Sequence, residues 1–314
     1  IASLPPFASI TRVLPLVALV AVVSLTATWA ARLARGRIGS SWIPTVAVLL
    51  VVAGGYTGAL YGTVLNFDSP SQSLTTMWLL ALLFTVAVYV DRGSPWMLVA
   101  VALLAVANTG GKVSHIAVAA GGLILLSVVG IFTRSLWWRR AIVATTVTGL
   151  AAIGTYLVVI FGAAVDRNLT EELAVKASTW QGLDPLPGTW GVAAGTIALL
   201  LAAYARLAGV GWLIREREFR TNPSLLMAVG AVAVGTFAIV VLAEGINETW
   251  FMLAASAPAS VVSAVGAVGA LYRLAEQRGS LPWAVGAVAV LVSCVSLVLS
   301  FAAFGESATG FARW

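Results

Sequence analysis

Runs of roughly 15–25 apolar residues, the length a helix needs to cross a hydrocarbon core of about 30 Å, recur along the chain between short polar breaks. The apolar positions do not alternate strictly, which argues against a barrel of strands. In lipid the helix is then the way left to satisfy every backbone group internally. The pattern predicts ten spans, near residues 13–31, 43–64, 74–90, 96–109, 113–133, 141–163, 189–208, 224–243, 250–272 and 283–304. The expected fold class is all-α: a polytopic transmembrane helix bundle of about ten spans with short loops, residues 1–314 forming one domain. The one long connection, 164–188, begins "DRNLTEELAVKAS" after its first two residues, which reads as a short amphipathic helix lying on the membrane surface.

Composition strengthens this picture. The chain is 60% hydrophobic and 10% charged, whereas a soluble domain carries about 25% charged residues. Gly and Ala at four-residue spacing in "AVGAVAVG" (228–235) and "VVSAVGAVGA" (261–270) mark close helix–helix approaches. The single cysteine, Cys294, lies in an apolar run, so the chain has no disulfide framework and no cysteine metal site. A pI near 10.0 could point to nucleic acid. The basic residues, however, sit in short clusters between apolar runs, the signature of topology, so no nucleic-acid partner is expected.

Charge then orients the spans. If the first runs outside to inside, thirteen basic residues, among them Arg32, Arg35, Arg37, Arg134, Arg139, Arg140 and Arg273, fall on one side and five on the other. The positive-inside rule makes the richer side cytoplasmic and both termini extracytoplasmic. Of the acidic residues only Asp91, Glu216, Glu218 and Glu276 share the arginine side. That side reads as a topological anchor, and the outer side as the working one. The chain starts at Ile1 with "IASLPPFASITR", neither a basic leader nor a cleavage site. It reads as a piece of a longer protein that lacks its natural N-terminal spans.

The candidate chemistry lies on the outer side. In "NTGGKVSHIAV" (108–118), Gly110 and Gly111 are expected to end the fourth helix and free backbone amides. Lys112, Ser114 and the chain's one histidine, His115, then open the fifth. Amides, helix dipole, ammonium and imidazole converging at a membrane surface suit a phosphate. The competing reading makes Lys112 a snorkelling residue, Ser114 a cap and His115 a partner of some carbonyl. Ser114 and His115 are not expected to form a catalytic pair, because adjacent helical residues diverge. Asp68 in "FDSPS", beside Tyr56, Tyr61 and Phe67, and Glu244 and Glu248 around a Gly–Ile–Asn turn are the carboxylates open to base chemistry or sugar contact. Solvated loop tips would look the same. Pro258 is expected to kink the ninth span and open a cavity. No metal site or cofactor is called for, and a divalent metal stays an open alternative. The glycosylation patterns at Asn168 and Asn247 read as chance.

The pieces "NFDSPSQSLTTMWLLALLF" (66–84), "GGKVSHIAVAAGGLILL" (110–126) and "ETWFMLAASAPASVVSAVGAVGAL" (248–271) resemble the multispan membrane glycosyltransferases of the GT-C type from high-GC Gram-positive bacteria. The resemblance implies a bacterial inner-membrane protein of the cell envelope that uses a polyprenyl-phosphate-linked sugar at the extracytoplasmic face. It also implies membrane lipids as partners. Lys112, Ser114, His115 and the amides after Gly110–Gly111 would hold the carrier phosphate, and Asp68, Glu244 and Glu248 would serve the sugar or the chemistry. Such enzymes place a catalytic carboxylate in the first outer loop, and this chain shows no such loop. Two other classes stay open: a transporter or flippase for a lipid-linked substrate, and a non-catalytic membrane subunit. No charged residue sits deep in a span, which counts against ion-coupled transport.

Overall fold

The structure, a computed structural model, describes residues 6–53, 70–160, 207–241, 247–280, 283–284 and 286–287. Among these the regular elements are all helical. They are α1 (Pro6–Leu33), α2 (Ile43–Ala53), α3 (Pro70–Arg92), α4 (Pro95–Gly111), α5 (Val113–Thr133), α6 (Trp138–Thr155), α7 (Ala208–Arg215), α8 (Pro223–Val241) and α9 (Asn247–Arg278). A π-helical turn, Tyr156–Ile160, prolongs α6. Prolines open α3, α4 and α8, where a missing N–H costs nothing. Beyond α3 the chain turns through Gly93 at φ +74°, and Arg134 ends α5 in the left-handed region at φ 47°.

Among the described residues, five helical stretches are long and apolar enough to cross a membrane: Leu16–Leu33, Ser73–Arg92, Val113–Thr133, Trp138–Val159 and Phe251–Arg278. This corrects the expected count of ten. Within the described residues, three of the expected spans are covered by shorter apolar stretches, Ile43–Val52, Pro95–Gly111 and Pro223–Ala238. The runs 189–208 and 283–304 lie almost wholly outside the described residues. About 20 residues at 1.5 Å each make a span, and α4, at 17 residues, falls below that, while α2 and α8 end where the described residues end.

The distribution of exposed residues shows what solvent surrounds the bundle. Phe132 and Val158 are each 84% exposed, and Leu103, Leu150 and Ile153 stand out beside them. A water-soluble protein hides such residues, whereas lipid accepts them. The five candidate spans and this apolar rim give the chain the make-up of a multi-pass membrane protein. Within it α9 is central and α6 peripheral: 83% of the apolar stretch of α9 is buried against 11% for that of α6. Small residues make the difference. Gly266 of α9 meets Gly209 of α7 backbone to backbone, and the Gly209 N–H donates to Ser263 Oγ at 3.1 Å. Gly121 and Gly122 of α5 meet α8 as closely: a Cβ at Gly122 or Gly230 would strike main chain, and one at Gly121 the Val234 side chain. The small-residue stripes are thus helix crossings, as expected. α9 runs through Pro258 unbroken.

The other fixed feature is the arginine end, where α1, α3, α5, α7 and α9 all finish. Arg140 donates to the Val90 and Asp91 carbonyls, at 3.0 and 2.9 Å, and so covers the last turn of α3. Arg32 pairs with Asp91. Glu216, just beyond α7, takes Arg37 on one carboxylate oxygen at 3.0 Å and Arg273 on the other at 3.2 Å. The Trp212 indole N–H donates to the second oxygen as well, at 3.2 Å. Glu216 therefore ties the turn after α1 to the last turns of α7 and α9. Gly39, at φ +73° in that first turn, lies so close to Tyr272 that a side chain there would collide with its ring.

Candidate functional site

At the opposite end of α3, three helix ends meet in a polar knot. A single residue, Lys112, joins α4 to α5 in an extended conformation (φ −153°, ψ 122°). Its N–H donates to the Asn108 carbonyl at 2.9 Å and its carbonyl accepts from the His115 N–H at 3.1 Å. The helix break therefore falls at Lys112 and not at the glycines, which belong to the last turn of α4. The two glycines differ in reason. Gly111 is pressed against Thr75 and Trp78 of α3, so a side chain would not fit, whereas nothing lies within 4 Å of the Cβ position of Gly110.

His115 is fully buried. Its Nε2 lies 3.2 Å from Thr76 Oγ1 on α3, and its Nδ1 lies 3.3 Å from Ser114 Oγ. Hydroxyls can donate or accept, so this pair satisfies either neutral tautomer of the ring. Ser114 thus turns to the imidazole, and makes no side-chain cap of α5. Ser73, Thr75, Asn108 and Thr109 are buried around the same junction. Asn108 Nδ2 donates to the Leu104 carbonyl at 2.8 Å, while its Oδ1 is buried and has no donor among the described residues. An orphaned acceptor of this kind costs about 1–3 kcal/mol unless a donor reaches it. Lys112 is half-buried beside this knot, and desolvation lowers its pKa below the ordinary 10.5.

The structure thus brings Gly110, Gly111, Lys112, Ser114 and His115 together at one helix junction. Glu248 falls in the first turn of α9, and the direction of α9 puts that turn at the same end of the bundle. Asp68, Glu244 and the connection 164–188 lie outside the described residues. Among the described residues, no three His, Cys, Asp or Glu side chains cluster as metal ligands would. Thr76 and Asn108 are the members that sequence reasoning missed. Their signal was faint: hydroxyl and amide residues in the end turns of apolar helices, at "SLTTM" and "VANTG".

No family model, curated protein or solved structure matches this chain.

Proposed function

We propose that this chain is an integral membrane protein that engages a polyprenyl-phosphate-linked sugar at the outer end of its bundle, as part of a sugar transferase of the GT-C kind. The observation that carries the reading is the knot at Lys112. In a bundle whose surface is apolar, it gathers a half-buried ammonium, an orphaned amide oxygen and a hydroxyl-bound imidazole at the end away from the arginines. A carrier phosphate would restore the charge environment that Lys112 loses by burial, and a sugar hydroxyl is a donor of the kind Asn108 Oδ1 lacks. The carrier's tail would lie along the exposed apolar face of α4 and α5. Both ring nitrogens of His115 are engaged by hydroxyls, so in this reading it sets the start of α5 while Lys112 supplies the charge. Glu248, Glu244 and Asp68 are the carboxylates for sugar contact or base chemistry.

The test is native mass spectrometry of the gently solubilised protein, wild type beside Lys112→Ala and Asn108→Ala. The expected result is a co-purified polyprenyl phosphate in the wild type, lost with Lys112 and weakened with Asn108. Identical sets of ordinary phospholipids on all three proteins would overturn it and move the transporter and subunit readings ahead.

A further inference from the structure

The arginine end, which from sequence reads as a topological anchor, encloses a cavity of about 540 Å³. The four acidic residues of the inner connections, Asp91, Glu216, Glu218 and Glu276, all line it, along with Arg32, Arg35, Arg37 and Arg273. An anchor alone would leave these arginines spread over the headgroups. Here they are gathered around a hollow that holds as many carboxylates as guanidiniums.

The two signs do not do the same work. Asp91 and Glu216 are taken up by Arg32, Arg37 and Arg273. Arg37 is fixed further by the Phe219 ring, 4.0 Å beneath its guanidinium. Arg273 spends one N–H on Glu216 while 60% of its side chain stays exposed, and Arg35, also exposed, lines the same hollow. A guanidinium has five donors, so both arginines keep N–H groups to offer the hollow. Glu218 and Glu276 add exposed acceptors. The floor contributes as well. α8 begins there, capped by Asn222, whose Oδ1 accepts from the N–H of Ser224 at 2.9 Å, and the positive end of the α8 dipole faces the hollow. That start is recessed. α5 continues about 16 Å beyond its crossing with α8 at Gly122, while α8 starts only about 6 Å before Met227.

We propose that this cavity binds a phosphate ester that also carries hydroxyl or amine donors, its phosphate held by Arg35 and Arg273 over the start of α8 and its donors by Glu218 and Glu276. A lipid headgroup entering from the inner leaflet and a soluble phosphoester share that chemistry. The site lies at the other end of the bundle from Lys112 and stands independently of the function proposed above.

The experiment titrates the full chain in detergent with dioctanoyl phosphatidylglycerol and, separately, with glycerol 3-phosphate, by calorimetry. Wild type is expected to bind one equivalent of at least one probe saturably. Arg35→Gln/Arg273→Gln should weaken that binding about tenfold or more, through two lost charge-assisted hydrogen bonds. Arg134→Gln/Arg139→Gln, which removes the same charge from the same end outside the cavity, should change it less than about twofold. Glu216 keeps Arg37 in the double variant, and the single Arg35→Gln leaves every ion pair in place, so a folding defect is separable by melting temperature. Binding of the lipid alone assigns the headgroup as the source, and binding of glycerol 3-phosphate assigns a soluble phosphoester. No saturable binding of either probe, or equal weakening in the control, would overturn the proposal.

Discussion

The two ends of this bundle solve the same problem, polar groups at the edge of an apolar solvent, in opposite ways. Around His115 the polar groups are mostly neutral, buried and tied to one another by hydroxyls, with the charge of Lys112 beside them. Around Glu216 they are fully charged, paired across three helix ends and open to a cavity. Thr76 and Asp91 stand fifteen residues apart on α3, so about 22 Å of helix separates the two arrangements. A neutral knot fixes geometry and leaves little field. A charged ring around a hollow keeps both a field and spare donors. The first resists change because His115 and its hydroxyl partners are buried, the second because Glu216 shares its charge among Arg37, Arg273 and Trp212.

That contrast can be broken by mutation. His115→Ala is expected to have the largest effect, a loss of about 3 kcal/mol, because it leaves a void and strips Thr76 Oγ1 of its ring partner in a buried site. It should appear as a large fall in melting temperature in detergent that added salt does not change. Glu216→Ala follows at about 2 kcal/mol, since Arg37 loses its carboxylate while only 20% of its side chain is exposed. The drop should shrink as salt rises, because ions screen the stranded arginines; a salt-independent loss would make Glu216 a packing residue and erase the contrast. Gly111→Ala should cost about 1–2 kcal/mol against Thr75 and Trp78, whereas Gly110→Ala should be neutral or stabilising by about 0.5–1 kcal/mol. Equal effects at the two glycines would mean that α3 does not press on the junction. Arg32→Ala is expected to cost under about 1 kcal/mol, its partner Asp91 being half exposed.

The smallest effect concerns proton uptake. Burial lowers the pKa of Lys112, so its charged form opposes folding at neutral pH. That penalty disappears as pH rises through the depressed pKa towards 10.5. A phosphate beside Lys112 favours the charged form, so carrier binding should be strongest below the depressed pKa and fall as pH rises through it. Lys112→Ala should flatten that dependence over the same window.

Much of the helix layout was legible in the sequence because prolines, glycines and charges punctuate the apolar runs. The expected 113–133 coincides with α5, and 96–109 and 74–90 differ from α4 and α3 by four residues or fewer at each end. The number of spans was not legible: five stretches of the described residues qualify by length, while α4, equally apolar, has only 17 residues. Nor does hydropathy rank α9 above α6, because lipid and protein interior are equally apolar; only the glycines and serines of α9 betray its central place. At the candidate site, "GGKVSH" announced a junction, and chain direction explains why its residues gather. The partner of His115 lies 39 residues away on another helix, and no local pattern specifies such a pairing. The convergence of four carboxylates on one hollow was hidden for the same reason.

The one-residue joint at Lys112 also constrains how the protein is made. α4, at 17 residues, is at the short limit for a span, and the joint leaves no tether on which α5 could lag behind. The insertion machinery must therefore accept the two helices together, as a hairpin with Lys112 at its tip. Lengthening that tip would hand the translocon two independent decisions in place of one.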